Sequence, residues 1–242
     1  MEGYKPTIYL RNIFRMKWDS RKTYLNMFIN GKEQFIKQTR SKGWSLVAAF
    51  AEWPLAKGEH VIQPECEMIQ IWKLDNWDTL YDTMQDLSET SWYRELGRSL
   101  ASEDQNLLIN AAMLDPAPKL RWHQENDPDY LYVYEESRPV EGCNHAYIRE
   151  VNWFSAVMAE RAGWELVWLA TQVTEQPAKV SVLWRARGAS AKSIPQDLSK
   201  IAQSERYNEK MLTKLQAMQC RILYPIYTER LAELAAGPAP KA

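Results

Sequence analysis

Gly43-Trp44-Ser45-Leu46-Val47 returns as Gly163-Trp164-Glu165-Leu166-Val167, and Ile71-Trp72-Lys73-Leu74 returns as Leu183-Trp184-Arg185-Ala186. The first landmark recurs after 120 residues (43 to 163) and the second after 112 (72 to 184). Two landmarks in the same order at similar spacing indicate a duplicated unit of about half the chain. Gly43 stands where it would stop a preceding helix.

Working outward from the repeat, residues 7–14 mix β-branched and aromatic side chains and predict a strand. Thr23, Tyr24, Met27, Phe28, Phe35 and Ile36 follow at helical spacing. Residues 44–53 and 62–74 predict two further strands joined by a hairpin-like connection over 54–60. A helix carrying Leu80, Met84, Leu87, Trp92, Leu96 and Leu100 precedes a strand over 106–113. This is the β-α-β-β-α-β order of the ferredoxin-like unit. The order repeats as strand 130–136, helix 145–162, strands 164–174 and 179–186, helix 195–219 with Pro195 in its first turn, and strand 221–226. The expected fold class is α+β, with two tandem ferredoxin-like repeats forming an α+β barrel. The boundaries are 1–115 for the first repeat, 116–128 for a proline-containing connector, 129–236 for the second repeat and 237–242 for a flexible tail. Each four-stranded sheet alone would leave one face bare, so the two halves should pack face to face with helices outside.

Composition narrows the function. A formal charge of −1 over 242 residues argues against a general nucleic-acid binder. Residues 11–43 nevertheless hold nine Lys/Arg against Asp19 and Glu33, while residues 65–104 are rich in carboxylates. Either these form complementary faces that meet within the fold or across a dimer, or the basic stretch is a rim guiding an anionic small molecule. The N-terminus lacks the apolar run of a signal peptide, and no stretch approaches the roughly 20 apolar residues of a membrane span. A soluble cytoplasmic protein is expected. Cys66, Cys143 and Cys220 have neither disulfide-framework nor Cys-x-x-Cys spacing. His60, His123 and His145 show no local metal spacing either, so no metal site is expected. There is no phosphate-cradling glycine loop, dinucleotide fingerprint or Gly-x-Ser-x-Gly elbow, and the expected chemistry uses no cofactor.

The strand motif Ile8-Tyr9-Leu10-Arg11, the segment Ile69-Gln70-Ile71-Trp72-Lys73-Leu74, and the later Asp78-Thr79-Leu80 and Ser91-Trp92-Tyr93 resemble the NIPSNAP family within the dimeric α+β barrel superfamily. In the second half Trp184 is kept, Tyr134-Glu135 stands in place of Leu-Arg, and the Pro-Gly that often follows the family's first strand is absent after Arg11. The resemblance implies a pocket and a homodimer but not a reaction. The superfamily holds haem-dependent enzymes, cofactor-free monooxygenases, cyclases, isomerases and decarboxylase-like proteins.

Several residues could carry chemistry. Arg11, beside Tyr9 and Ile13 on one side of its strand, would grip a substrate carboxylate or pair with a protein one. Tyr130, Tyr132 and Tyr134 share a strand face and would stabilise a developing oxyanion, with Tyr132 central, or form an interface ladder. His145, at a helix N-terminus, is the candidate general acid or base, and His123 in the connector is the next. The expected substrate-binding set is Tyr9, Tyr130, Tyr134, Trp72, Trp184 and His123. Trp18, Trp53, Trp122, Trp153 and Trp168 lack counterparts in the other half and would line a pocket for a flat apolar molecule. Glu165, Glu135 and Glu136 become candidate bases if buried. These features point to a cofactor-independent lyase, decarboxylase or isomerase acting on an apolar, aromatic small molecule with an acid or phenol group. The alternatives are a non-catalytic ligand- or protein-binding module, a haem-binding member or a cofactor-free oxygenase.

Overall fold

In the computed structural model the described residues are 7–17, 20, 39–52, 65–75, 79–110, 131–174, 178–186 and 193–228. The strands are β1 (Ile8–Lys17), β2 (Trp44–Glu52), β3 (Glu65–Leu74), β4 (Leu100–Asn110), β5 (Leu131–Pro139), β6 (Trp164–Gln172), β7 (Val180–Ala186) and β8 (Leu215–Thr228). The helices are α1 (Leu80–Glu89), α2 (Ser91–Ser99), α3 (Asn144–Ala162) and α4 (Ile194–Ala202). The expected helix around residues 23–36, the connector and the tail lie outside the described residues.

All eight strands pair antiparallel into a closed barrel in the order β1-β3-β2-β8-β5-β7-β6-β4. Within it the first half runs β4-β1-β3-β2 and the second β8-β5-β7-β6, the same order twice. Leu10 lies opposite Trp72 as Val133 lies opposite Trp184, so Arg11 corresponds to Tyr134 and Asn12 to Glu135. The two sheets are sealed by short ladders. β2 meets β8 from Ala48–Thr228 to Glu52–Leu223, and β4 meets β6 from Leu108–Gln172 to Asn110–Ala170.

The repeated pentapeptide does the same work in both halves. Gly43 and Gly163 adopt φ of +79° and +66°, the left-handed conformation that ends a helix. Gly163 N–H bonds Ala159 O at 3.1 Å and Gly43 N–H bonds Arg40 O at 3.1 Å. Trp44 and Trp164 then start strands whose register slips at the following valine. Leu46 faces Trp72 but Ala48 faces Ile71, and Leu166 faces Trp184 but Trp168 faces Leu183. Val47 and Val167 are therefore bulge residues, which bend the strand and turn Ala48 and Trp168 toward the barrel interior. A Cβ on Gly163 would meet nothing within 4 Å, so Gly163→Ala isolates the backbone cost. It should lower stability by about 1–2 kcal/mol in urea denaturation. Gly97→Ala in α2, equally uncrowded, should raise it by about 0.5–1 kcal/mol.

Alternation along the strands gives three apolar layers. Tyr9, Ile13, Ile69, Ile71, Tyr132, Tyr134, Trp168 and Leu183, from both halves, fill the barrel. Side chains of eight strands suffice to occupy such an interior. Leu10, Phe14, Trp44 and Trp72 point the other way, under Leu87 of α1 and Leu96 of α2. Val133, Trp164 and Trp184 likewise pack under Tyr147, Ile148, Val151 and Phe154 of α3 and Ile201 of α4. The halves thus face one another as expected, with helices outside.

Two expected elements differ. The helix read through to Leu100 breaks at Thr90, whose extended backbone (ψ 145°) ends α1 while its hydroxyl accepts from Tyr93 N–H at 3.1 Å to cap α2. β4 then begins at Leu100, six residues before the expected 106. The helix expected over 195–219 stops at Ala202. A π-helical turn (Tyr207–Met211) and a 3₁₀ turn (Leu212–Lys214) lead into β8 at Leu215. Leu198, Ile201, Met211 and Leu215 do recur at near-helical spacing, but the ladder of β8 on β5, from Leu223–Tyr132 to Leu215–Pro139, overrides that local preference. Pro195 occupies the first turn of α4.

Candidate functional site

The barrel interior holds Arg11, only 1% exposed. Its NH1 donates to Tyr134 OH at 2.9 Å and to Glu136, and its NH2 to Asp104 at 2.9 Å. Tyr134 and Ser181 share a hydroxyl–hydroxyl bond of 2.9 Å, and Lys179 Nζ lies 3.3 Å from Glu136. Burial alone would favour neutral Arg11, but Tyr134, Glu136 and Asp104 outweigh it and hold the guanidinium charged. Glu136 would be raised by burial, yet Arg11 and then Lys179 pull it below the usual carboxylate range. Burial raises the Tyr134 phenol despite Arg11, so it stays protonated. This is a network tying β1, β4, β5 and β7 together. Of the two readings of Arg11, the protein-carboxylate pair is the one formed.

The charge asymmetry of the sequence is resolved in the same way. Arg11 pairs with Asp104, Arg15 with Glu67 at 2.9 Å, and Lys42 with Asp86, each joining the basic stretch to the acidic one.

The remaining expected site residues disperse. Tyr9 stacks edge-on against Trp168 at 5.4 Å and Tyr132 tilts against Phe50 at 5.0 Å, both within the packed interior. Trp72 and Trp184 sit on the opposite face, under the helices. His145 is exposed at the start of α3, away from the buried Arg11 network. Tyr130 and His123 lie outside the described residues. Trp153 is 44% exposed beneath the Arg206 guanidinium, 3.3 Å from its ring centroid, and neither it nor Trp168 borders the two spaces described next. Trp44 and Trp72, members of the matched pairs, do.

Two adjoining spaces occur in the first half between sheet and helices. The inner one, about 20 Å³, is bounded by Asn12, Gln70, Trp44, Trp72, Met84 and Leu87, with Tyr93 at its side. The outer one, a cleft of about 270 Å³, is lined by Thr39, Ser41, Lys42, Thr83, Asp86, Leu87 and Thr90. Around them stand buried polar atoms with no hydrogen-bond partner: Asn12 Oδ1, Trp44 Nε1 and Thr83 Oγ1. Trp72 Nε1 donates to Gln70 at 3.1 Å. The second half differs at the corresponding level. Glu135, in the position of Asn12, accepts from Ser137 Oγ at 2.5 Å, from Tyr147 OH and from Trp184 Nε1 at 3.3 Å. Burial first, and then Glu135, push the Tyr147 phenol well above its ordinary pKa. Both halves leave the indole N–H of a matched tryptophan unmet, Trp44 and Trp164, but among the described residues only the first also leaves a buried amide oxygen and a hydroxyl without a partner.

An anthrone oxidase-like protein superposes over 92% of this chain and 92% of its own with a TM-score of 0.59 and 10% identity. A chlorite dismutase variant from Candidatus Nitrospira defluvii superposes over 96% and 97%, with a TM-score of 0.53 and 9% identity. The chain has the dimeric α+β barrel fold. In this α+β barrel both four-stranded sheets come from a single polypeptide. A NIPSNAP family protein from Agrobacterium tumefaciens str. C58 matches 43% of this chain and 92% of its own at 18% identity, with a TM-score of 0.32. No protein-family model matches the chain, and no curated relative matches it. A histidine-held group such as haem needs an imidazole facing a cavity. His145, the one histidine among the described residues, borders neither space, so the described residues do not fit that group. No described helix of the barrel is long and apolar enough to cross a membrane.

Sequence reasoning missed Asn12 and Thr83. Asn12 neighbours Arg11 but points to the other face, a distinction that alternation contains once the strand is placed. Nothing local marks Thr83, whose hydroxyl matters only because α1 lays it against the cleft. The carboxylates Glu135, Glu136 and Glu165 are all engaged, Glu165 with Arg185 at 2.6 Å.

Proposed function

We propose that this protein binds a small, flat, largely apolar molecule bearing an uncharged polar oxygen, a phenol or carbonyl, between the sheet and the α1–α2 pair of its first half. The observation carrying this reading is the pair of buried, unpartnered oxygens, Asn12 Oδ1 and Thr83 Oγ1, beside adjoining spaces that share Leu87. An unmet buried polar group costs about 1–3 kcal/mol, and a ligand that satisfies it recovers part of that cost. Among the described residues the candidate anchors for an acid group are engaged, Arg11 with Glu136 and Asp104 and Lys42 with Asp86.

Thr83→Val tests the reading through two effects of opposite sign. Removing the orphaned hydroxyl should raise the unfolding free energy by about 1 kcal/mol, measured in urea. It should also weaken binding of 2-naphthol about fivefold by isothermal titration, the equivalent of one hydrogen bond. A variant that is less stable and binds equally well would remove the cleft from the function.

A second reading, a cofactor-independent lyase or isomerase, is favoured by one observation. Tyr93 borders the inner space, and its electrostatic neighbour Glu103 lies on β4, on the same face of the sheet as Phe14. Burial raises both groups, for Tyr93 with a further push from Glu103. A carboxyl whose pKa is raised and which interacts electrostatically with a phenol is suited to moving a proton. In this reading that pair replaces His145 as the proton carrier. Deuterium incorporation into bound 9-anthrone separates it from passive binding.

The architecture we propose is a duplication, with 1–115 and 129–236 as ferredoxin-like units, 116–128 as connector and 237–242 as tail. The first unit keeps the site and the second supports it. The protein would work in the cytoplasm as a homodimer, which light scattering at several concentrations checks.

A further inference from the structure

We infer that Leu87 is the specificity-determining residue of this site, a gate that separates the cleft from the inner space and so limits how deeply a ring system penetrates. The inference rests on the ligand-binding reading above and goes beyond it by naming the ligand class, a fused-ring hydroxyarene held in the cleft with its oxygen directed at Asn12. Leu87 is common to the linings of both spaces. Its backbone is pinned, because the Leu87 carbonyl accepts from both Thr90 N–H at 3.0 Å and Thr90 Oγ1 at 2.7 Å where α1 ends. Thr90 in turn caps α2 through Tyr93 N–H. With the main chain held from that side, the isobutyl group, packed in the sheet–helix layer, is the part whose size sets the opening.

The two spaces differ in chemistry as well as size. The cleft is lined by the hydroxyl residues Thr39, Ser41, Thr83 and Thr90, of which the Thr83 hydroxyl is unpartnered, with a Lys42–Asp86 pair at its rim. The inner space is walled by Phe14, Trp44, Trp72, Met84 and Leu96, with Asn12, Gln70 and Tyr93 as its polar members. At about 20 Å³ it admits one water-sized group. A single hydroxyl can enter it, whereas a second ring cannot do so while Leu87 keeps its place.

The experiment is titration calorimetry of phenol and 2-naphthol with the full chain, its Leu87→Ala and Leu87→Val variants, and each of these combined with Asn12→Leu. The preference for 2-naphthol over phenol should rise about tenfold or more in Leu87→Ala, the range expected when a pocket gains room for apolar atoms. Leu87→Val should give a smaller rise in the same direction, and it serves as the readout if the alanine variant does not fold. Asn12→Leu should cancel the gain, since the oxygen loses its acceptor. An unchanged preference in both Leu87 variants, with Thr83→Val still weakening binding, overturns the gate and leaves the ligand-binding reading standing. A gain that survives Asn12→Leu also overturns it, since the ring is then not directed inward. Absence of binding of either probe by every form overturns both.

Discussion

Replacing Arg11 by methionine is expected to lower the unfolding free energy by about 3–5 kcal/mol at pH 7, the range for breaking a buried ion pair by removing one partner. Arg11 lies inside the barrel between carboxylates from both halves, Asp104 on β4 and Glu136 on β5. Without it, Glu136 keeps Lys179 alone, and Tyr134 loses the guanidinium that donates to its oxygen. The pH dependence has a definite sign. The folded-state pKa of Glu136 lies below the ordinary value, so the unfolded chain binds more protons in the acid range. Its contribution is complete above the unfolded pKa of about 4.3 and is lost as pH falls through the lower folded value. The penalty of Arg11→Met should therefore shrink below about pH 4, and Glu136→Gln should flatten the acid limb of the wild-type stability profile. Urea denaturation from pH 3 to pH 7 measures both. A loss under 1 kcal/mol for Arg11→Met would mean that apolar packing compensates for the pair, as the desolvation penalty of buried charges allows.

Truncating the matched tryptophans should be as damaging. Trp72→Ala and Trp184→Ala are each expected to cost about 3–5 kcal/mol, because each removes a large ring from a packed sheet–helix layer. Both rings are 2% exposed. The phenylalanine variants separate the halves. Trp72→Phe deprives the neutral Gln70 amide of a donor next to an existing space. Trp184→Phe deprives the buried Glu135 carboxyl of one of its neutral donors, leaving Ser137 and Tyr147. Trp184→Phe should therefore be the more destabilising of the two by about 1 kcal/mol or more, measured by urea denaturation of both variants. Equal losses would show that the indole N–H of Trp184 contributes no more than its counterpart.

The repeat was legible because its physical requirements are local. A left-handed helix stop needs glycine, and a strand start under a helix favours a large ring. Gly43 and Gly163 therefore stand at equivalent corners of the two halves. The strand faces of Arg11 and Tyr134 were also readable from alternation. That they meet was not, since it requires β1 and β5 to lie across a barrel from each other, 123 residues apart in sequence. The boundary at Leu215 failed for the converse reason, as a helix-like spacing was overruled by a ladder with a distant strand. His145 looked well placed beside the end of its strand, but the turn at Val140–Cys143 and the packing of Tyr147, Ile148 and Val151 leave it on the outer side of α3.

The amino-acid sequence by itself determined the α+β plan with its recurring landmarks, the alternation that sorts side chains into interior and helix-covered layers, and the balance of opposite charges. These follow from backbone sterics, periodicity and composition, which act over a few residues. Only the tertiary structure decided which charges neutralise one another, and therefore that Arg11 is spent on Glu136 and Asp104. It also decided that the spaces lie beneath α1 and α2, because an unmet oxygen such as Asn12 Oδ1 or Thr83 Oγ1 is defined by what the distant chain fails to bring to it.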